Sequence, residues 1–177
     1  MILNAYPGST AEVIDYPAAG SIDAAYVSSV QQGTQNIANQ NNNFNKQCPN
    51  TKLVVVGYFQ AAKIGDNALC RGGDPDHGIT YTKPLISSAA RNQIEAVIWA
   101  RNPRNSLAET FQYGSCTAGG FDARPAGSSC PTYQSRNRSY CDASDPYCCN
   151  GNNALAHQGH GSEYSQNALA FVQSKLG

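Results

Sequence analysis

Leu53-Val54-Val55-Val56-Gly57-Tyr58-Phe59-Gln60-Ala61 is an apolar, β-branched run that ends in a glycine and leads into a helix-forming segment. Such a run reads as a buried strand entering a sharp turn. Its end aligns with a nucleophile elbow, G-x-S-x-G, in which a strained turn thrusts a hydroxyl out above a sheet. Phe59 stands at the serine position and Ala61 at the second glycine. A benzyl group has no proton to give up and no lone pair with which to attack a carbonyl. The same residues that predict an α/β architecture therefore close acyl-enzyme chemistry to this side chain.

Outward from this run, strand and helix signals alternate, which argues for a parallel sheet flanked by helices, in one domain over residues 1–177. Residues 21–45 carry Val27, Val30, Ile37 and Phe44 at three-to-four spacing, an amphipathic helix whose asparagine-rich end, 39–47, reads as frayed and solvated. Residues 60–69 predict the helix after the elbow, 95–100 and 139–142 two further strands, and 163–176 a closing helix. Residues 12–16 read as a short strand ended by Pro17. No run of 18 apolar residues exists to form a membrane-spanning helix, and Met1-Ile2-Leu3-Asn4 is too short for the core of a signal peptide.

Downstream, residues 141–149 read Cys-Asp-Ala-Ser-Asp-Pro-Tyr-Cys-Cys, and His157 follows Asp145 by 12 positions in Ala-His-Gln-Gly-His-Gly. Position 59, Asp145 and His157 fall in the chain order nucleophile, acid, histidine. Residues 6–12, Tyr-Pro-Gly-Ser-Thr-Ala-Glu, and 119–127, Gly-Gly-Phe-Asp-Ala-Arg-Pro-Ala-Gly, complete the pattern with the closing helix. On these motifs the chain closely resembles the fungal cutinase and acetylxylan esterase family, nearest its acetylxylan esterase branch, over nearly its whole length from Tyr6 onward.

The resemblance implies a three-layer, cutinase-like α/β-hydrolase fold, a central parallel sheet flanked by helices and stapled by disulfides. It implies the pairs Cys141–Cys148 across the acid loop, Cys70–Cys130 and Cys116–Cys149, with Cys48 left over. It places Asp145 and His157 as a remnant triad around an inert Phe59, with the Gln60 N–H as one oxyanion donor. Family members begin with a strand and a loop of the type Phe-Gly-Ala-Arg-Glu-Thr that supplies the second donor, and nothing in residues 1–6 resembles it. Losing one such donor costs about 10²–10³ in rate. That strand lies centrally in the family's sheet, so the expectation is a gap filled by an N-terminal segment, a partner chain or a rearranged strand order.

Twelve basic and twelve acidic residues cancel, and no Lys/Arg cluster occurs, so the electrostatic footprint for nucleic acid or an anionic membrane is missing. A polar surface with only 14% charged residues suits a protein working among neutral polymers. Seven cysteines point to an oxidising compartment, hence secretion, and the odd count leaves at least one thiol without a partner in the chain. The sequon Asn137-Arg138-Ser139 is compatible with secretion. No metal or other cofactor is expected. Cys141, Cys148 and Cys149 lack zinc-site spacing, and His157 and His160 sit in a glycine-containing loop without a third ligand. Asp74-Pro75-Asp76-His77-Gly78 has proline at its second position and no trailing glutamate for calcium, and reads as a turn.

Two meanings remain for Asp145 and His157. They are a base and its orienter still able to act on water or a substrate proton, worth about 10²–10⁴-fold, or a relic kept for the hydrogen bonds of a stapled loop. Ser144 and Ser162 lie near them, but neither follows a strand in a sharp turn. Tyr58, Trp99, Tyr147 and Tyr164 are either an aromatic rim for sugar rings or core. The function expected is a protein of esterase fold, silent as a serine esterase, that binds acetylated polysaccharide, a small ester, or a protein partner or second copy at the missing-strand gap. The alternatives are an acid/base enzyme (hydrolase, lyase or isomerase) using His157 and Asp145, or an altered form of an active acetylxylan esterase.

Overall fold

In the computed structural model, residues 1–20, 23–70, 72–128, 130–158 and 163–177 are described. The apolar run of residues 53–58 is strand β1 (Leu53–Tyr58), and it pairs in parallel with β2 (Ile94–Ala100), Gly57 opposite Trp99 and Tyr58 opposite Ala100. Two shorter strands, β3 (Gln112–Tyr113) and β4 (Asn137–Tyr140), complete an all-parallel sheet of order β1-β2-β4-β3. A parallel sheet is covered on both faces, which is why β2 is apolar at nearly every position. Val55, Val97 and Trp99 pack with Ile37, Ala62 and Leu69 on one face. Val54, Ala96 and Ile98 pack with Val172, Phe171 and Ile2 on the other.

The helices supply those layers. They are α1 (Ile2–Ala5), α2 (Ala24–Gln47), α3 (Gln60–Leu69), α4 (Ser88–Gln93) and α5 (Ser165–Leu176). The carboxylate of Asp23 caps α2 by accepting from the Ala25 and Tyr26 N–H groups. α3 lies close on the sheet because residue 65 has no side chain. A Cβ on Gly65 would stand 2.3 Å from Cη2 of Trp99. Trp99 is therefore core.

Two expectations are corrected. Residues 12–16 form no strand, because side chains of α2 take its backbone instead: Asn36 donates to the Asp15 carbonyl and Gln40 to that of Val13. The asparagine-rich end of α2 is not frayed. Asn42 donates to the Leu85 carbonyl and accepts from the Ser87 N–H, and Asn45 donates to Gln93. The sequon lies on β4, where Asn137 and Ser139 are buried.

The four described strands are each hydrogen-bonded to the next in the sheet, so no strand is missing between them. The outer edge of β1 has no strand partner among the described residues, and Val56 beside it is 57% exposed. Cys70–Cys130, Cys116–Cys149 and Cys141–Cys148 are disulfide-bonded, and Cys48 is free.

Candidate functional site

The strands end at one level, Tyr58 beside Ala100 and Ala100 and Tyr113 beside Tyr140. Ligands of open α/β sheets bind outside these carboxyl ends. The residues that follow are Phe59, Arg101 and the loop from Cys141 to Asp145.

β1 passes to α3 through one residue. Phe59 holds φ 50° and ψ −114°, its N–H donates to the Ala100 carbonyl at 2.9 Å, and its carbonyl accepts from the Lys63 N–H at 3.0 Å. A side chain held in that corner of backbone space costs on the order of 1–3 kcal/mol. Gly57 permits the turn, since a Cβ there would lie 2.6 Å from the Ala62 nitrogen. The Phe59 ring meets the rings of His157 and Tyr147 edge to face, at centroid distances of 4.8 and 5.2 Å.

Asp145 Oδ2 lies 2.8 Å from His157 Nδ1, while Oδ1 accepts from the N–H groups of Tyr147 at 2.7 Å and Cys148 at 3.0 Å. The Cys141–Cys148 disulfide closes this cradle. Burial works to raise the Asp145 pKa, but the bonds from His157 and the two backbone donors outweigh it and hold the carboxyl below its ordinary value. In the neutral ring with Nδ1 donating to the carboxylate, the lone pair falls on Nε2, and that atom is buried with no hydrogen-bond partner among the described residues. The His157 carbonyl accepts from the Tyr58 hydroxyl at 2.5 Å.

Gln60 opens α3, where a helix leaves its first N–H groups without an internal acceptor. Its side chain accepts from Ser29 Oγ at 2.8 Å and donates to the Ala19 carbonyl at 2.9 Å, tying the early loop to the elbow. Tyr58 and Tyr147 reach the site. Tyr164 stacks on Tyr140 and donates its hydroxyl to Asp142. Ser144 is exposed and has no described side-chain contact with His157. His160 and Ser162 lie outside the described residues.

Two charged residues go beyond the sequence-derived set. Arg101 is buried at φ 55°. Its Nε lies 3.5 Å from Asp145 Oδ2, and its Nη2 lies 3.2 Å from Asp142 Oδ2 and 3.5 Å from Glu163 Oε2. Lys63, one turn into α3, is also buried. Its ammonium pairs with Asp122 and lies 3.5 Å from Asp74 Oδ2 and 3.0 Å from His77 Nδ1. Asp74, His77 and Asp122 offer ligand atoms within 4.8 Å of one another, and two buried cations are set against them: the Lys63 ammonium and the Arg104 guanidinium, whose Nη1 lies 3.4 Å from Asp74 Oδ1 and 3.8 Å from Asp122 Oδ1. Burial pushes the Lys63 pKa down, against the pull of Asp74 and Asp122. Residues 75–77 form a single 3₁₀ turn. The one signal for Lys63 was a lysine among the small and apolar residues of α3.

A one-residue turn from strand to helix, aimed at a histidine that an acid orients, is the arrangement of α/β-hydrolases. Within that class the chain belongs to the Cutinase family, which it matches over residues 1–176. It is 55% identical over 180 residues to Acetylxylan esterase 2 of Talaromyces purpureogenus, a match covering 99% of this chain and 76% of that protein. It is 49% identical to an acetylxylan esterase of Hypocrea jecorina, again over 99% of this chain but only 59% of the relative. A solved acetylxylan esterase structure, 55% identical, superposes with a TM-score of 0.95 over 99% of this chain and 86% of its own.

Proposed function

We propose that this chain is a cutinase-family protein silent in serine-ester hydrolysis, which binds sugar chains, acetylated xylan first among them, at the strand ends. One observation carries the reading: a phenyl ring stands at the tip of the strained turn, edge-on to His157, whose Nε2 has no hydroxyl to bond among the described residues. Phe59 also joins other rings into one surface. Tyr58 meets His157 at 5.2 Å, Phe59 meets Tyr147 at 5.2 Å, and Tyr147 meets Phe121 at 6.2 Å. Tyr58 is 45% and Phe121 49% exposed, so the run of rings is open at both ends. Sites for organic ligands are built from aromatic walls with few polar groups. The acetylxylan esterases among the relatives suggest acetylated xylan as the candidate, and the three disulfides support a secreted, oxidising setting.

The test is p-nitrophenyl acetate hydrolysis together with affinity electrophoresis in acetylated xylan. The expected result is no turnover that depends on His157 and a retardation that Phe121→Ala reduces. No retardation of the unaltered protein would sink the binding claim. Because the Asp145–His157 bond is intact at 2.8 Å, a second reading keeps the pair as an acid/base couple acting through water. Turnover of any ester, or of a non-ester sugar substrate, that vanishes in His157→Ala would favour it.

A further inference from the structure

Arg101 is the unexplained charge at this site. A buried guanidinium needs carboxylate partners, and Arg101 has them in Asp142, Asp145 and Glu163. Yet its Nε and Nη1 make no hydrogen bond among the described residues, so its contact with Asp145 is one of charge more than of directed bonding. The oxygen it faces is Oδ2, the same atom that holds His157 Nδ1. Its φ of 55° is a conformation that side-chain-bearing residues rarely adopt. A large cation has thus been accommodated, in an unfavourable backbone conformation, against the acid of an acid–histidine pair.

In a working pair the carboxylate has two tasks. It fixes the imidazole tautomer and it stabilises the imidazolium formed when Nε2 takes a proton from the attacking hydroxyl. The hydrogen bond at 2.8 Å preserves the first task. The second depends on the charge close to Oδ2, and a guanidinium 3.5 Å from that atom opposes a further positive charge on the ring it holds.

We propose that Arg101 is a second block on ester hydrolysis, separate from Phe59, because its guanidinium offsets the Asp145 charge that would support proton uptake by His157. Arg101 is in this sense a positioning residue with the wrong sign. The inference rests on the reading of Phe59 as an inert elbow. It predicts that a hydroxyl returned to position 59 stays largely idle while Arg101 remains. In the restored reaction, the hydroxyl oxygen would bond to the acyl carbon as its proton passes to Nε2. The same proton would then go to the departing alcohol or phenol as the ester bond breaks. Water, giving a proton to Nε2 in turn, would release the acyl group as acid, and that proton would return to the serine oxygen.

The experiment measures p-nitrophenyl acetate hydrolysis for the unaltered protein, Phe59→Ser, Phe59→Ser with Arg101→Gln, and Phe59→Ser with Arg101→Lys. Glutamine and lysine are both unbranched and both carry a Cβ at the positive φ, so they differ chiefly in charge. The expected result is that the glutamine double variant exceeds Phe59→Ser by tenfold or more, while the lysine double variant does not. A Phe59→Ser variant as fast as the glutamine double variant overturns the proposal and leaves the inert-elbow reading standing. An equal rise with lysine overturns it too, since packing and not charge would then be responsible, and so does inertness throughout. Turnover by the unaltered protein that His157→Ala abolishes would overturn the inert-elbow reading instead. Arg101 is then judged in that background, where Arg101→Gln must raise the rate tenfold or the proposal falls. Should the glutamine double variant fail to fold, Phe59→Ser with Arg101→Gly, which relieves the backbone, decides in its place.

Discussion

Phe59 and Arg101 stand side by side just beyond the paired ends of β1 and β2, both at positive φ, and the Phe59 N–H is bonded to the carbonyl of Ala100, the residue before Arg101. The elbow is therefore written into the strand register and the close approach of Gly57 to Ala62, not into the side chain at its tip. A ring can occupy the place of a nucleophile without the turn relaxing. That separation of geometry from chemistry is what makes the fold an unsafe guide to activity here.

Strain at the tip is measurable. Phe59→Gly removes an unfavourable conformation worth about 1–3 kcal/mol and loses two edge-to-face ring contacts worth about 0.5–1.5 kcal/mol each. The ring also packs against the core cluster of Tyr26, Val30, Ile64 and Ile79, and losing that burial adds to the cost, so Phe59→Gly is expected to be less stable than the unaltered protein by about 1–3 kcal/mol in urea unfolding. Phe59→Ala loses the rings and keeps the strain, and is expected to be less stable than Phe59→Gly by about 1–2 kcal/mol. Equal stability of the two variants would show that the turn stores no strain.

Much of this arrangement was legible in the residues, and the exceptions share a cause. Leu53–Tyr58 and Gln60–Leu69 formed as read, because a β-branched run and the helix behind it are local signals. Asp145 and His157 met because their chain order and the stapling cysteines specify a loop. Residues 12–16 failed because their backbone is claimed by the amides of Asn36 and Gln40, a tertiary event that alternation does not report. The partners of Lys63 were hidden for the same reason: nothing near it in sequence announces that Asp74, His77 and Asp122 converge on it. Arg101 carries no motif in the sequence, and only its burial and φ give it meaning.

The ammonium of Lys63 compensates Asp122 and Asp74 deep in the protein. Lys63→Met keeps the bulk and leaves those carboxylates with Arg104 as their remaining cationic partner, at 3.4 and 3.8 Å. Breaking a buried pair in this way costs about 3–5 kcal/mol, which in a domain of this size lowers Tm by about 10 °C. Burial and Asp74 raise the Asp122 pKa against the pull of Lys63. The deficit should therefore shrink in mild acid, as Asp122 takes up a proton. A thermal melt of Lys63→Met that matches the unaltered protein at neutral pH would show the cluster to be dispensable.

Acid should unfold this protein through the site itself. Burial favours neutral Asp145, but the bonds from His157 and the Tyr147 and Cys148 N–H groups prevail and lower its pKa. A carboxyl lowered on folding contributes stability above its unfolded value, about 3.9, and loses it as pH falls through the folded value. The stability gap between the unaltered protein and Asp145→Asn is therefore expected to be full at pH 6 and to close below about pH 4. Melting curves from neutral pH to pH 2.5 would show it, and a gap that stays constant would mean that Asp145 charge contributes nothing.

The disulfides divide the same way, by what each one encloses. Cys70–Cys130 spans 60 positions and Cys141–Cys148 only 7. Chain entropy alone gives the long loop about 4 kcal/mol and the short one about 2.5 kcal/mol, so paired alanine substitutions should cost more stability at 70 and 130. The short bridge nevertheless holds the turn whose Tyr147 and Cys148 N–H groups bind Asp145. Replacing Cys141 and Cys148 by alanine is expected to speed hydrogen exchange at the amides of positions 147 and 148 by tenfold or more. Replacing Cys70 and Cys130 should leave those amides protected up to the lowered global limit. Equal acceleration in both variants would mean that the acid loop opens only when the whole domain does, and that its staple serves stability and not the orientation of His157.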